Sequence, residues 1–111
     1  MLNITMPRGD IRPVTFIVNG SEGITFDEIY FTVKRSFTDK NALFQKTLTS
    51  GKIEEIDTSV YKFIIESEDT DGLNYGRYVF DIELISGQDI KQTTVGELVL
   101  TNEVTFVTNE V

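Results

Sequence analysis

Glu68-Asp69-Thr70-Asp71-Gly72-Leu73-Asn74-Tyr75-Gly76-Arg77-Tyr78-Val79-Phe80-Asp81-Ile82-Glu83-Leu84 is the stretch that decides the fold. It reads as an acidic corner, a tight turn at Gly76 and a strand opened by an aromatic. In that strand Tyr78, Phe80, Ile82 and Leu84 share one face, opposed by Arg77, Asp81 and Glu83. A period of two marks a strand with one buried face. Many β-sandwiches enter the strand after their cross-over corner in this way. By analogy with the tyrosine corner, the Tyr78 hydroxyl is expected to reach back to backbone within residues 71–74. These residues specify architecture and carry no chemistry.

The same period runs outward in both directions. In Glu28-Ile29-Tyr30-Phe31-Thr32-Val33-Lys34, Ile29, Phe31 and Val33 face one way, Thr32 and Lys34 the other. In Val60-Tyr61-Lys62-Phe63-Ile64-Ile65-Glu66 the apolar set is Tyr61, Phe63 and Ile65. Residues 13–18 and 95–100 behave similarly, and the β-branched and aromatic content agrees with strands. Asn19-Gly20-Ser21-Glu22-Gly23 separates the second strand from the third. Thr49-Ser50-Gly51-Lys52 is expected to close a hairpin after residues 43–48, and Ser86-Gly87-Gln88-Asp89 another. Short helical turns are expected near Thr38-Asp39-Lys40-Asn41 and over residues 68–73, with Ser67 heading a capping sequence. The count is seven to nine strands at roughly ten-residue spacing, which is that of a sandwich with Greek-key connections.

A chain of 111 residues has room for one domain and one core, so residues 1–111 are expected to form a single unit. No apolar run approaches the roughly 20 residues of a membrane span, and the first residues lack the pattern of a secretory signal. Cysteine and histidine are both missing, which removes disulfides, thiolates and the commonest general base. Eighteen acidic residues face ten basic ones, a formal charge of −8. That balance disfavours nucleic acid and anionic membrane as partners and is read as solubility. Thr101-Asn102-Glu103-Val104 recurs as Thr108-Asn109-Glu110-Val111. The expectation is a last strand over residues 104–107, then a fraying end; the sharper reading is a strand added to a neighbouring subunit.

Few motifs could carry chemistry. Arg8-Gly9-Asp10 matches the tripeptide that integrins recognise, but it is read as a loop between an N-terminal strand and the strand of Val14. Glu66, Glu68, Asp69 and Asp71 could suggest calcium. Aligning an EF-hand glycine with Gly72 puts Tyr78 where the bidentate Glu must stand, so the cluster is read as a solvated corner. Asp81 and Glu83 project in parallel beside Arg77 rather than flanking a substrate, so glycoside hydrolysis is not indicated. Lys34 and Asp81 are instead candidates for a cross-strand ion pair. Serine and lysine nucleophiles lack a base, and Gly20 and Gly23 lack the sequence of a phosphate loop. Of Tyr30, Tyr61, Tyr75 and Tyr78, Tyr75 is the one expected to be exposed. The expectation is therefore no catalytic residues, no cofactor-binding residues and no metal ligands.

The order of segments resembles the small phage and prophage proteins related to the N-terminal domain of the baseplate upper protein family. It is carried by Arg8-Gly9-Asp10, the strand 14–18, Glu28-Ile29-Tyr30-Phe31-Thr32-Val33-Lys34 and Phe44-Gln45-Lys46. Then follow Glu68-Asp69-Thr70, Leu73-Asn74-Tyr75-Gly76-Arg77-Tyr78 and Phe80-Asp81-Ile82-Glu83, so residues 8–105 are covered. The resemblance implies an immunoglobulin-like β-sandwich in a phage tail or baseplate and brings no catalytic residues. The chain stops soon after the sandwich, without the family's long C-terminal receptor-binding or coiled-coil region. A structural or adaptor role is thus expected: a non-enzymatic virion protein, made in the bacterial cytoplasm, with other phage structural proteins and itself as partners. A binding module for cell-wall glycan or a surface protein is the alternative, and a small hydrolase a distant third.

Overall fold

The structure is a computed structural model that describes residues 2–20, 24–87 and 90–102, except the side chains of Ile90 and Lys91. The chain is all-β, with eight strands and one short helix among the described residues. The strands are β1 (Leu2–Pro7), β2 (Arg12–Ile17), β3 (Glu28–Lys34), β4 (Phe44–Thr47), β5 (Glu54–Asp57), β6 (Val60–Ile65), β7 (Gly76–Ser86) and β8 (Ile90–Thr101). Helix α1 (Ser67–Asp71) lies between β6 and β7. Five strands form one sheet in the order β1-β8-β7-β3-β4, and three form the other in the order β2-β6-β5. Neighbours run antiparallel except β1, which runs parallel to β8 from Leu2↔Gly96 to Pro7↔Thr101.

The alternating residues bury as their period requires. Ile29, Phe31 and Val33 of β3, Tyr61, Phe63 and Ile65 of β6, and Tyr78, Phe80, Ile82 and Leu84 of β7 are all buried. Phe31 joins the two sheets: its ring lies 4.2 Å from that of Phe63 and 5.2 Å from that of Phe80. Rings at such separations add to simple area burial. Gly96 faces Phe80 across the β7–β8 ladder. A side chain there would enter the Phe80 ring and lie 2.5 Å from the Leu2 carbonyl oxygen, so only glycine lets β1 dock at this point.

The corner that opens β7 is closed as anticipated. Gly76 takes φ 136°, a conformation that favours glycine, and turns the chain into the strand. The Tyr78 hydroxyl donates to the Asn74 carbonyl at 2.7 Å while its ring is buried. Tyr78→Phe removes that bond. It is expected to destabilise the fold by about 1 kcal/mol, read as a lower urea midpoint. An unchanged midpoint would refute the corner's contribution.

The structure departs from the sequence pattern at four points. Thr49-Ser50-Gly51-Lys52 does not close a hairpin, because β4 and β5 lie in different sheets. The chain crosses the rim there and buries Ile53, whose N–H bonds the Thr47 carbonyl at 3.0 Å. Gly-rich turn chemistry suits a crossover as well as a hairpin. Second, β5 is a strand that alternation does not reveal: all four of its residues are exposed, and pairing with β6 defines it. Third, α1 begins one residue earlier than Ser67 suggested, with Glu66 as N-cap. The carboxylate of Asp69 accepts the Glu66 N–H at 2.8 Å, one half of a capping box, and so sets the cap at Glu66 rather than Ser67. Fourth, the turn near Thr38 is not helical; it closes with Asp39 N–H on the Ser36 carbonyl at 3.1 Å. The β7–β8 hairpin forms as expected, with Ser86 opposite Ile90. The strand expected over residues 104–107 lies outside the described residues.

Candidate functional site

Three segments far apart in sequence meet at the α1 corner. The Arg8 N–H bonds the Thr101 carbonyl at 3.2 Å, which carries the chain past the end of β1. The Arg8 guanidinium then lies 4.5 Å from the centre of the Tyr75 ring and donates to the Leu73 carbonyl at 3.3 Å. Gly9, with φ 83°, brings its N–H to the Thr70 hydroxyl at 2.9 Å, and that hydroxyl is fully buried. Arg8 and Gly9 are thus half-buried against the corner, and only Asp10 is exposed. An integrin ligand needs arginine and aspartate displayed together on a free loop tip. Here the arginine serves as a strap between β1 and α1.

The acidic cluster separates into different tasks. Asp69 turns inward and meets Lys46 Nζ at 2.6 Å; the two side chains are only 13% and 7% exposed. Lys46 takes the inward row of β4 and passes by the ring of Phe44, 5.9 Å away. A lysine enters this apolar space only because a carboxylate waits there. Glu68 and Asp71 remain exposed. Glu68's own backbone N–H, a hydrogen bond with Glu66, and the charges of Lys46 and Lys52 hold its carboxyl below the ordinary range. The acids therefore diverge rather than converge, and no group of three or more acidic side chains is placed to hold a metal among the described residues.

Glu28, at the start of β3, clamps the rim crossover. Its carboxylate accepts N–H groups of Ile29 at 3.0 Å, Leu48 at 2.9 Å and Thr49 at 3.1 Å, together with the Thr49 hydroxyl. Partial burial works against its charge, but the bonds from Thr49, Ile29 and Leu48 outweigh burial and lower the pKa. The sign follows: this stabilisation is present at neutral pH and is lost as pH falls below the ordinary glutamate range. Glu28→Gln is expected to lower stability by roughly 1–2 kcal/mol at pH 7 and very little at pH 3. Urea melts at both pH values check it; equal losses at both would refute the clamp.

The outer face of the larger sheet carries Tyr30, Thr32, Lys34, Gln45, Asp81 and Glu83 around a shallow polar depression. The register corrects the expected ion pair. Asp81 stands opposite Thr32 and Lys34 opposite Val79, so the two charges are diagonal rather than opposed. Arg77 reaches Glu97 instead, at 3.5 Å, and is 74% exposed, so that pair contributes little. Tyr75 is exposed as anticipated, but Arg8 covers one face of its ring. Phe37 is a second exposed aromatic that alternation did not single out.

The chain matches no protein-family model and no curated protein sequence.

Sequence reasoning missed Lys46 and Glu28. A signal for Lys46 existed: it shares the row of Phe44 and Leu48, so strand alternation alone points it inward. None existed for Glu28, whose partners Leu48 and Thr49 lie twenty residues on. No helix among the described residues is long and apolar enough to cross a membrane.

Proposed function

We propose that the chain is a non-catalytic structural and interaction module of a phage or prophage particle, a tail or baseplate component. Its fold is read as an immunoglobulin-like Greek-key sandwich. The order β1-β8-β7-β3-β4 over β2-β6-β5, with a tyrosine corner leading into β7, supports that reading. The observation that carries the proposal is where the motifs of the resemblance go. Arg8-Gly9 lies on Thr70, Leu73 and Tyr75, Tyr78 on Asn74, and Lys46 on Asp69. Residues that recur in order with the baseplate proteins are thus spent on holding a framework shut, as in a scaffold whose task is to present surfaces. Its partners are other structural proteins of the particle and copies of itself, not nucleic acid or membrane. It is made in the bacterial cytoplasm and ends in the virion.

Mass spectrometry of purified, induced particles tests the proposal. The chain should be recovered in stoichiometric amount, and its absence under good coverage of known tail proteins would sink the virion role. The depression around Tyr30, Lys34 and Asp81 favours a second reading, a module for cell-wall glycan. That reading requires saturable retention on purified cell wall, lost in Tyr30→Ala.

A further inference from the structure

Lys46 holds an amine nitrogen against a carboxyl group in a space almost closed to bulk water. Its Nζ stands 2.6 Å from Asp69 Oδ2, and the carboxyl carbon lies one bond behind that oxygen. The side chains are 7% and 13% exposed, and the Phe44 ring lies 5.9 Å from the nitrogen. The two partners are fixed by different elements. The β3–β4 ladder sets Lys46 opposite Phe31, and the capping box of α1 holds Asp69. Groups preset at such a distance need no further ordering to react, which removes much of the entropic barrier to forming a bond.

The carboxyl group is also polarised. The oxygen that faces Lys46 accepts the Glu66 N–H at 2.8 Å. A backbone N–H fixed on a carboxyl oxygen supports the negative charge that gathers there when the carbon is attacked.

We propose that Lys46 Nζ and Asp69 Cγ condense to an intramolecular amide, so that the ion pair described above is the precursor of a covalent cross-link. The ammonium passes one proton to Oδ1 of the carboxylate. The freed lone pair on nitrogen attacks Cγ and forms the C–N bond, while Oδ2 carries the charge of the tetrahedral intermediate against the Glu66 N–H. Nitrogen gives up a second proton to the Oδ1 hydroxyl, the C–Oδ1 bond breaks, and water leaves. One ammonium and one carboxylate thus become one amide and one water. The step needs no oxidant and leaves the net charge unchanged. Burial favours the product, because an ion pair in this space gives up the hydration of two charges and an amide carries none.

The bond closes residues 46–69 into a loop that contains the rim crossover, β5 and β6. It staples the large sheet to the α1 corner in a chain that has no cysteine for the purpose.

Intact-mass spectrometry of the denatured 111-residue chain tests the proposal, on protein kept folded at pH 7 until its mass no longer changes. The mass should lie one water below that of the sequence. Trypsin should fail to cut after Lys46 and should release residues 41–52 joined to residues 63–77, with fragment ions that place the link on Lys46 and Asp69. Lys46→Arg keeps the cation but not the primary amine, and should stay at its full mass. Far-UV circular dichroism verifies its folding, with Lys46→Met as the replacement if arginine is not accommodated. A parent chain at its full sequence mass would overturn the proposal. So would a water loss that persists in the Lys46 variants, as dehydration at Asp71-Gly72 gives, or free peptides 41–46 and 63–77 from the lighter chain. None of these outcomes depends on the particle role.

Discussion

Asp69→Ala is expected to destabilise the domain by about 3–5 kcal/mol, because it leaves the Lys46 ammonium buried without a counter-charge. Lys46 Nζ sits 2.6 Å from the Asp69 carboxylate with a side chain only 7% exposed. The same substitution removes the acceptor of the Glu66 N–H and so uncaps α1. A loss of this size is a large share of the roughly 5–15 kcal/mol that holds a domain folded. Lys46→Met should cost less. Asp69 then keeps the Glu66 N–H and its slight exposure to water, and methionine fills the space with apolar volume. The ranking, rather than either value, identifies the buried charge as the cause. Urea unfolding of both variants at pH 7 measures it, and an Asp69→Ala protein as stable as Lys46→Met would refute the account.

Phe31→Ala is expected to cost about 3–5 kcal/mol through the cavity it opens between the sheets. Phe31 is fully buried, and its ring touches Phe63 of the facing sheet, Phe80 of the neighbouring strand and, at 6.1 Å, Phe44. The midpoint of thermal or urea unfolding should fall accordingly, and Phe31→Leu should recover part of the loss. A variant near wild-type stability would mean that the two sheets are not joined through this ring.

Much of this architecture was legible because it rests on local chemistry. The buried faces of β3, β6 and β7 follow from a period of two, and the Tyr78 bond to Asn74 spans four residues. The Ser86–Gly87 turn closes a hairpin because its flanking strands have nowhere nearer to pair. The Thr49–Lys52 turn looks the same in sequence but carries the chain across the rim. The difference arises from Glu28, which gathers the Leu48 and Thr49 N–H groups from twenty residues away. Likewise Arg8-Gly9-Asp10 has no meaning within its own loop; Thr70, Leu73 and Tyr75 give it one.

The sequence by itself determined that this is an all-β chain, which residues face inward in its main strands, and that Tyr78 anchors the corner after α1. Side-chain alternation and hydrogen bonds over a few residues suffice for those, because both act at short range along the chain. Only the tertiary structure decided the parallel docking of β1 on β8, the burial of Lys46 with Asp69 and the strap from Arg8 to Tyr75. Each of these joins groups that are distant in sequence. Their energies depend on burial and on which partner the fold brings within reach, and neither is written in the local pattern.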